Sequence, residues 1–82
     1  MTIGRTEING MRILLVIPQS GYYSVLLHRE NGPFPGRPFV GANSWNGEDD
    51  EWDGGTYDMD WDAAMAWVRH RTPIAREVIA IP

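Results

Sequence analysis

Asn9-Gly10 stands between two short runs of strand composition, Thr6-Glu7-Ile8 and Met11-Arg12-Ile13. A two-residue type I′ turn needs φ > 0 at both central positions, which asparagine and glycine tolerate, so this segment is expected to fold as an antiparallel hairpin. The hairpin in turn constrains the segment after it. From Met11 to Ile17 every residue but Arg12 is apolar, with Met11, Ile13, Leu15 and Ile17 on one alternating face and Leu14 and Val16 on the other. Such a run suits a central strand covered on one side by a helix. Pro18-Gln19-Ser20-Gly21 reads as a turn, and Tyr22 to Arg29 as a third strand. In that strand Tyr23, Val25 and Leu27 share one face, and Tyr22, Ser24, Leu26 and His28 the other.

Asn31-Gly32 ends the third strand, and residues 32–41 then hold three prolines and three glycines. This connection is expected to be mostly irregular, with Phe39-Val40-Gly41-Ala42 as a short edge strand. Residues 44–59 are expected to be an acidic loop. A helix over about 60–71 should come next, because Asp60 is a good N-cap, Asp62 favours the positive helix end, and Pro73 terminates it. Trp61, Ala64, Met65 and Val68 recur at i, i+3, i+4 and i+7 as one apolar stripe. On this reading Trp61 is core and Trp67, at the flank, half-buried. Arg69, His70 and Arg71 suit the helix C-terminus, and Glu77 to Ile81 has the composition of a closing strand. The expected fold is α+β: one domain over 1–82, an antiparallel sheet of four to five strands with one amphipathic helix on one face.

Charge bears on function. Eight carboxylates (Glu48, Asp49, Asp50, Glu51, Asp53, Asp58, Asp60, Asp62) fall within fifteen residues without a compensating base, in a chain of net charge −4. Trp45, Trp52 and Trp61 border or interrupt the run. Carboxylates this dense repel one another, so the run needs a cation, a basic partner or simple solvation. The rest of the chain carries seven arginines and no lysine. With no cysteine there is no disulfide framework or thiolate chemistry, and the longest apolar stretch, Ile13 to Ile17, is too short to span a bilayer. A cytoplasmic protein without membrane insertion is the expectation.

Several chemistries fit poorly. Asp49, Glu51, Asp53, Gly54 and Asp60 match positions 1, 3, 5, 6 and 12 of a calcium-binding EF-hand loop. Glutamate at position 3, the short aspartate at position 12, Thr56 at position 8 and the absence of an entering helix depart from it, so a calcium-ordered interaction module stands as the alternative reading. His28 and His70 are far apart, no serine stands in a nucleophile motif, and residues 32–41 lack the spacing of a phosphate loop, so no enzyme, cofactor or metal is expected. Direct nucleic-acid binding is disfavoured by the charge. A carboxylate run can instead imitate a phosphate backbone. Fully extended, the run spans at most ~50 Å, about one charge per ~6 Å against ~3.4 Å for a DNA strand, a gap that folding back would close.

A short, cysteine-free, acidic α+β chain with a strand pair, an acid- and tryptophan-rich loop and one amphipathic helix resembles the small phage-encoded anti-CRISPR proteins. The resemblance lies in whole-chain character and assigns no residue a role. It implies host-defence evasion by a non-enzymatic inhibitor that blocks the basic surface on which a CRISPR effector complex holds target DNA. The partner would be a host protein or ribonucleoprotein with such a surface, in the cytoplasm of a bacterial cell. Read from the charges, Glu48, Asp49, Asp50, Glu51, Asp53, Asp58 and Asp60 are the candidate contacts for its Lys and Arg. Trp52 and Trp45 are the candidate aromatic anchors.

Overall fold

Asn9 and Gly10 adopt φ of 51° and 78°, as the hairpin turn requires. They join β1 (Glu7–Ile8) to β2 (Met11–Pro18) in a computed structural model that describes residues 6–72. β3 (Tyr23–His28), β4 (Phe39–Trp45) and β5 (Gly55–Met59) come next, then α1 (Trp61–Arg71). The strands form a five-stranded antiparallel meander in sequence order, and α1 packs on β3, β4 and β5. The fold is therefore α+β. The suggested closing strand, Glu77 to Ile81, lies outside the described residues.

Two expectations about strands need correction. Phe39 to Ala42 is no edge strand: β4 runs on to Trp45 and lies between β3 and β5. Nor are residues 44–59 all loop, since Gly55 to Met59 is β5, and the acidic connection shrinks to 46–54. With only five residues, two of them Thr and Tyr, set beside a run of acids, β5 carries little strand signal in its composition.

Each of the three long ladders carries an irregularity. The register slips between Ile13 and Leu15 on β2, between Tyr23 and Val25 on the β3–β4 ladder, and between Phe39 and Gly41 on the β4–β5 ladder. Ser44 and Asp58, with φ of 55° and 56°, sit at the second and third slips. An extra residue bends its strand, sharpens the twist and turns the side chains beyond it to the other face. So the β2 faces differ from simple alternation. Met11, Ile13 and Val16 pack with one core and Ile17 with the other, while Leu14 and Leu15 are exposed.

The twisted sheet buries residues on both faces. On one, Ile8, Met11, Val25, Leu27, Val40, Ala42 and Trp45 form a core against which Trp52 packs. On the other, α1 lays Ala64 and Trp67 over Ile17, Leu26 and Met59, with Phe39, Met65 and Val68 at the margin. Here the tryptophans exchange expected places: Trp67 is 6% exposed and Trp61 is 58% exposed. Gly41 explains the exchange, because a Cβ at that position would lie 2.2 Å from Cε2 of Trp67. The indole occupies the space that a side chain on β4 would fill, which rotates the buried stripe toward Trp67 and lifts Trp61 out. The Trp67 Nε1 is buried with no hydrogen-bond partner among the described residues. That costs roughly 1–3 kcal/mol, which the ring's packing must exceed.

α1 starts where the sequence indicates. The Asp60 carboxylate accepts from the Ala63 amide at 2.8 Å, and Arg69, His70 and Arg71 occupy the last turn. Asp60→Ala removes this cap and is expected to cost about 1 kcal/mol. Thermal denaturation should show a fall of about 4–8 °C in Tm. An unchanged Tm would mean that tertiary packing alone fixes the helix start.

Candidate functional site

The loop over 46–54 connects β4 to β5 and borders the core that α1 does not cover. Asn46 organises its first turn: its Oδ1 accepts from the amides of Glu48 and Asp49 at 2.8 and 3.0 Å, and its Nδ2 donates to Asp49 Oδ2 at 2.8 Å. This is the side-chain mimicry of a backbone turn for which asparagine is suited. Trp45, the last residue of β4, donates from Nε1 to the Asp49 carbonyl at 2.7 Å. Further on, Asp50 Oδ1 accepts from the Asn9 amide at 3.2 Å, so the loop meets the β1–β2 turn across the twisted sheet. Gly47 (φ 92°) lies over Tyr23, and Gly54 (φ 86°) delivers the chain into β5.

Both candidate anchors therefore belong to the underside of this loop. Trp45 is 0% exposed and stacks at a tilt on Tyr23, with ring centroids 6.0 Å apart. Full burial removes it from the set of contact residues. Trp52 is half-buried on the same core, its Nε1 close to Gly55. The signal that would have separated them from exposed anchors is their spacing from the strand: Trp45 continues β4 once one bulge residue is allowed at Ser44.

The carboxylates divide by position. Glu48, Asp49, Asp50, Glu51 and Asp53 are all exposed on the 46–54 loop. Asp58 lies apart in β5, half-buried at the bulge, with its Oδ1 4.0 Å from Arg29. A pair that exposed contributes about 0–1 kcal/mol. Asp60 serves as the helix cap described above, and Asp62 stands in the first turn of α1. Asp60 and Asp62 flank Trp61, which is edge-on to Phe39 at 5.5 Å; Phe39 in turn meets His28 at 5.8 Å. The sequence assigned Trp61 to the core and so missed it as a surface aromatic.

The calcium loop does not assemble. Its seventh to eleventh positions are β5, and the Asp60 carboxylate is engaged by the helix amide. Among the described residues no three His, Asp or Glu side chains converge as metal ligands. What the surface offers is a set of exposed carboxylates on a loop bonded through Trp45, Asn46 and Asn9, above a tryptophan-lined core. Among the described residues no helix is long and apolar enough to cross a membrane. Compared with models of protein families, with curated proteins and with solved structures, this chain matches none.

Proposed function

We propose that this protein is a non-enzymatic inhibitor that docks its 46–54 loop on a basic nucleic-acid-binding surface, that of a CRISPR effector complex, and keeps target DNA away. One observation carries the reading: five exposed carboxylates ride on a loop tied to the protein body. A loop that served only solubility would need none of the bonds from Trp45, Asn46 and Asn9. A tied loop loses little conformational freedom on binding, so its charges act together on a partner's Lys and Arg. Glu51, Trp52 and Asp53 lead the contact, with Glu48, Asp49 and Asp50 beside them and Asp58 and Asp60 at the periphery.

The test replaces Glu48 and Glu51 by Gln and Asp49, Asp50 and Asp53 by Asn. Amides keep an acceptor oxygen for Asn46 and Asn9, so the loop conformation survives while five charges go. In gel-shift assays with purified CRISPR effector complexes and labelled target DNA, the parent protein should release the DNA at low salt. The five-fold variant should need at least about tenfold more protein, a loss of about 1.4 kcal/mol. Raising the salt should weaken the parent more than the variant. A variant as potent as the parent, or a parent that displaces DNA from no effector, overturns the proposal.

A further inference from the structure

A second surface carries the opposite charge. Where the β2–β3 turn, the end of β4 and the last turn of α1 meet, a groove of about 510 Å³ is lined by Gln19, Ser24, Asn43, Ser44, His70 and Arg71. In a chain of net charge −4, no carboxylate among the described residues lines it. Its one guanidinium among the described residues is held on several sides. Arg71 stacks on the Trp67 ring at 4.3 Å, donates from Nε to Asn43 Oδ1 at 2.9 Å, and reaches the Trp67 carbonyl with one terminal nitrogen at 3.4 Å. Its own carbonyl accepts from Gln19 Nε2 at 2.8 Å.

Capping the helix C-terminus explains the contact with the Trp67 carbonyl, as cations near the last carbonyls do in general. It does not explain the neighbours. With Nε engaged by Asn43 and one terminal nitrogen in long contact with the Trp67 carbonyl, the remaining terminal N–H groups are left for a second acceptor, and they match the oxygens of an anion. Ser24, 2% exposed and the only buried polar side chain of the described core, lines the same groove. Its Oγ accepts from Gln19 Nε2 at 3.4 Å, which leaves its O–H to donate. Side chains from β3, β4 and α1 line this one groove, with the Ser24 hydroxyl and the Arg71 guanidinium as its donors, a set that suits the several oxygens of a phosphoryl group.

We propose that this groove binds the phosphoryl group of a small molecule, with Arg71 as its charged fork and Ser24 as a buried hydroxyl donor. The groove exceeds the volume of phosphate alone, and Tyr22 at its rim offers an aromatic surface to the remainder of the ligand, as a nucleoside monophosphate would use. The site is independent of the acidic loop.

The test is a titration of the full chain, followed by the amide and Arg Nε–H resonances, with inorganic phosphate, adenosine monophosphate, sodium acetate and sodium chloride. Phosphate should shift Arg71 Nε–H and the Ser24 amide saturably, adenosine monophosphate should do so at lower concentration, and acetate and chloride should not saturate. Ser24→Ala, which fits wherever serine fits, should weaken phosphate binding about tenfold without lowering Tm. Arg71→Lys, which keeps the charge and loses the fork, should weaken phosphate binding by a similar factor. The five-fold acidic-loop variant should bind phosphate undiminished, which separates failure here from failure of the inhibitor reading. Absence of saturation with phosphate, an equal response to acetate, or unaltered affinity in Ser24→Ala overturns the proposal.

Discussion

Gly41→Ala is expected to cost about 3 kcal/mol, the upper end of what an inserted methyl group does to a packed core. The added carbon would lie 2.2 Å from Cε2 and 2.6 Å from Cζ2 and Nε1 of Trp67. Contacts that short cannot be absorbed by a bend at the end of a flexible chain, because the neighbour is a rigid ring. The ring has little room to retreat: it is buried against the second core, and Arg71 stacks on it at 4.3 Å. Relief must come from lifting α1 off β4, which would expose Ala64 and Met59 as well. At about 4–8 °C per kcal/mol, Tm should fall by roughly 12–24 °C. Trp67→Leu in the Gly41→Ala background should recover part of the loss, with a favourable coupling of roughly 0.5–3 kcal/mol in the double-mutant cycle. A Gly41→Ala protein that melts with the parent would show that Trp67 does not depend on the missing Cβ.

Gly41 also marks where the sequence stops being readable. The hairpin at Asn9-Gly10, the faces of β3 and the cap at Asp60 derive from local chemistry, and all three are present. Each depends on residues close in the chain. The reversal of Trp61 and Trp67 depends on a glycine at least twenty positions earlier, a contact that no periodicity within the helix encodes. The bulges act in the same way. Leu14 gives no compositional sign of its irregularity, yet the slip beside it moves Val16 and Ile17 off the faces that simple alternation assigns. Ser44 and Asp58 are better signposted, since small polar residues tolerate φ > 0, but several others nearby share that property. In the acidic region the residue types and the cap at Asp60 were legible, and the separation of the other carboxylates into a tied loop and a bulge was not. That separation is set by pairing of β5 with β4, which the high density of acids conceals.

The largest single loss on this molecule should come from Trp45→Ala, at about 3–5 kcal/mol. A chain of this size has a total stability of only about 4–12 kcal/mol, so the variant should lose roughly a quarter to all of it. Trp45→Phe is more informative. Phenylalanine keeps an aromatic ring against Tyr23 and gives up the 2.7 Å bond from Nε1 to the Asp49 carbonyl. That bond contributes about 1 kcal/mol net, and the carbonyl can turn to water once it is lost. The sheet should persist while the loop loosens, so amide hydrogen exchange should accelerate across residues 46–50 and stay slow in β3 and β4. All eight carboxylates remain in this variant. Charge alone would therefore leave affinity for a basic partner unchanged, whereas an array that works because it is held in place should bind more weakly by a few-fold, through the added ordering cost. Faster loop exchange with undiminished affinity would assign binding to charge and leave Trp45 a core residue only. Faster exchange with weakened affinity would connect the buried tryptophan to the exposed acids, and the core of the fold to its proposed function.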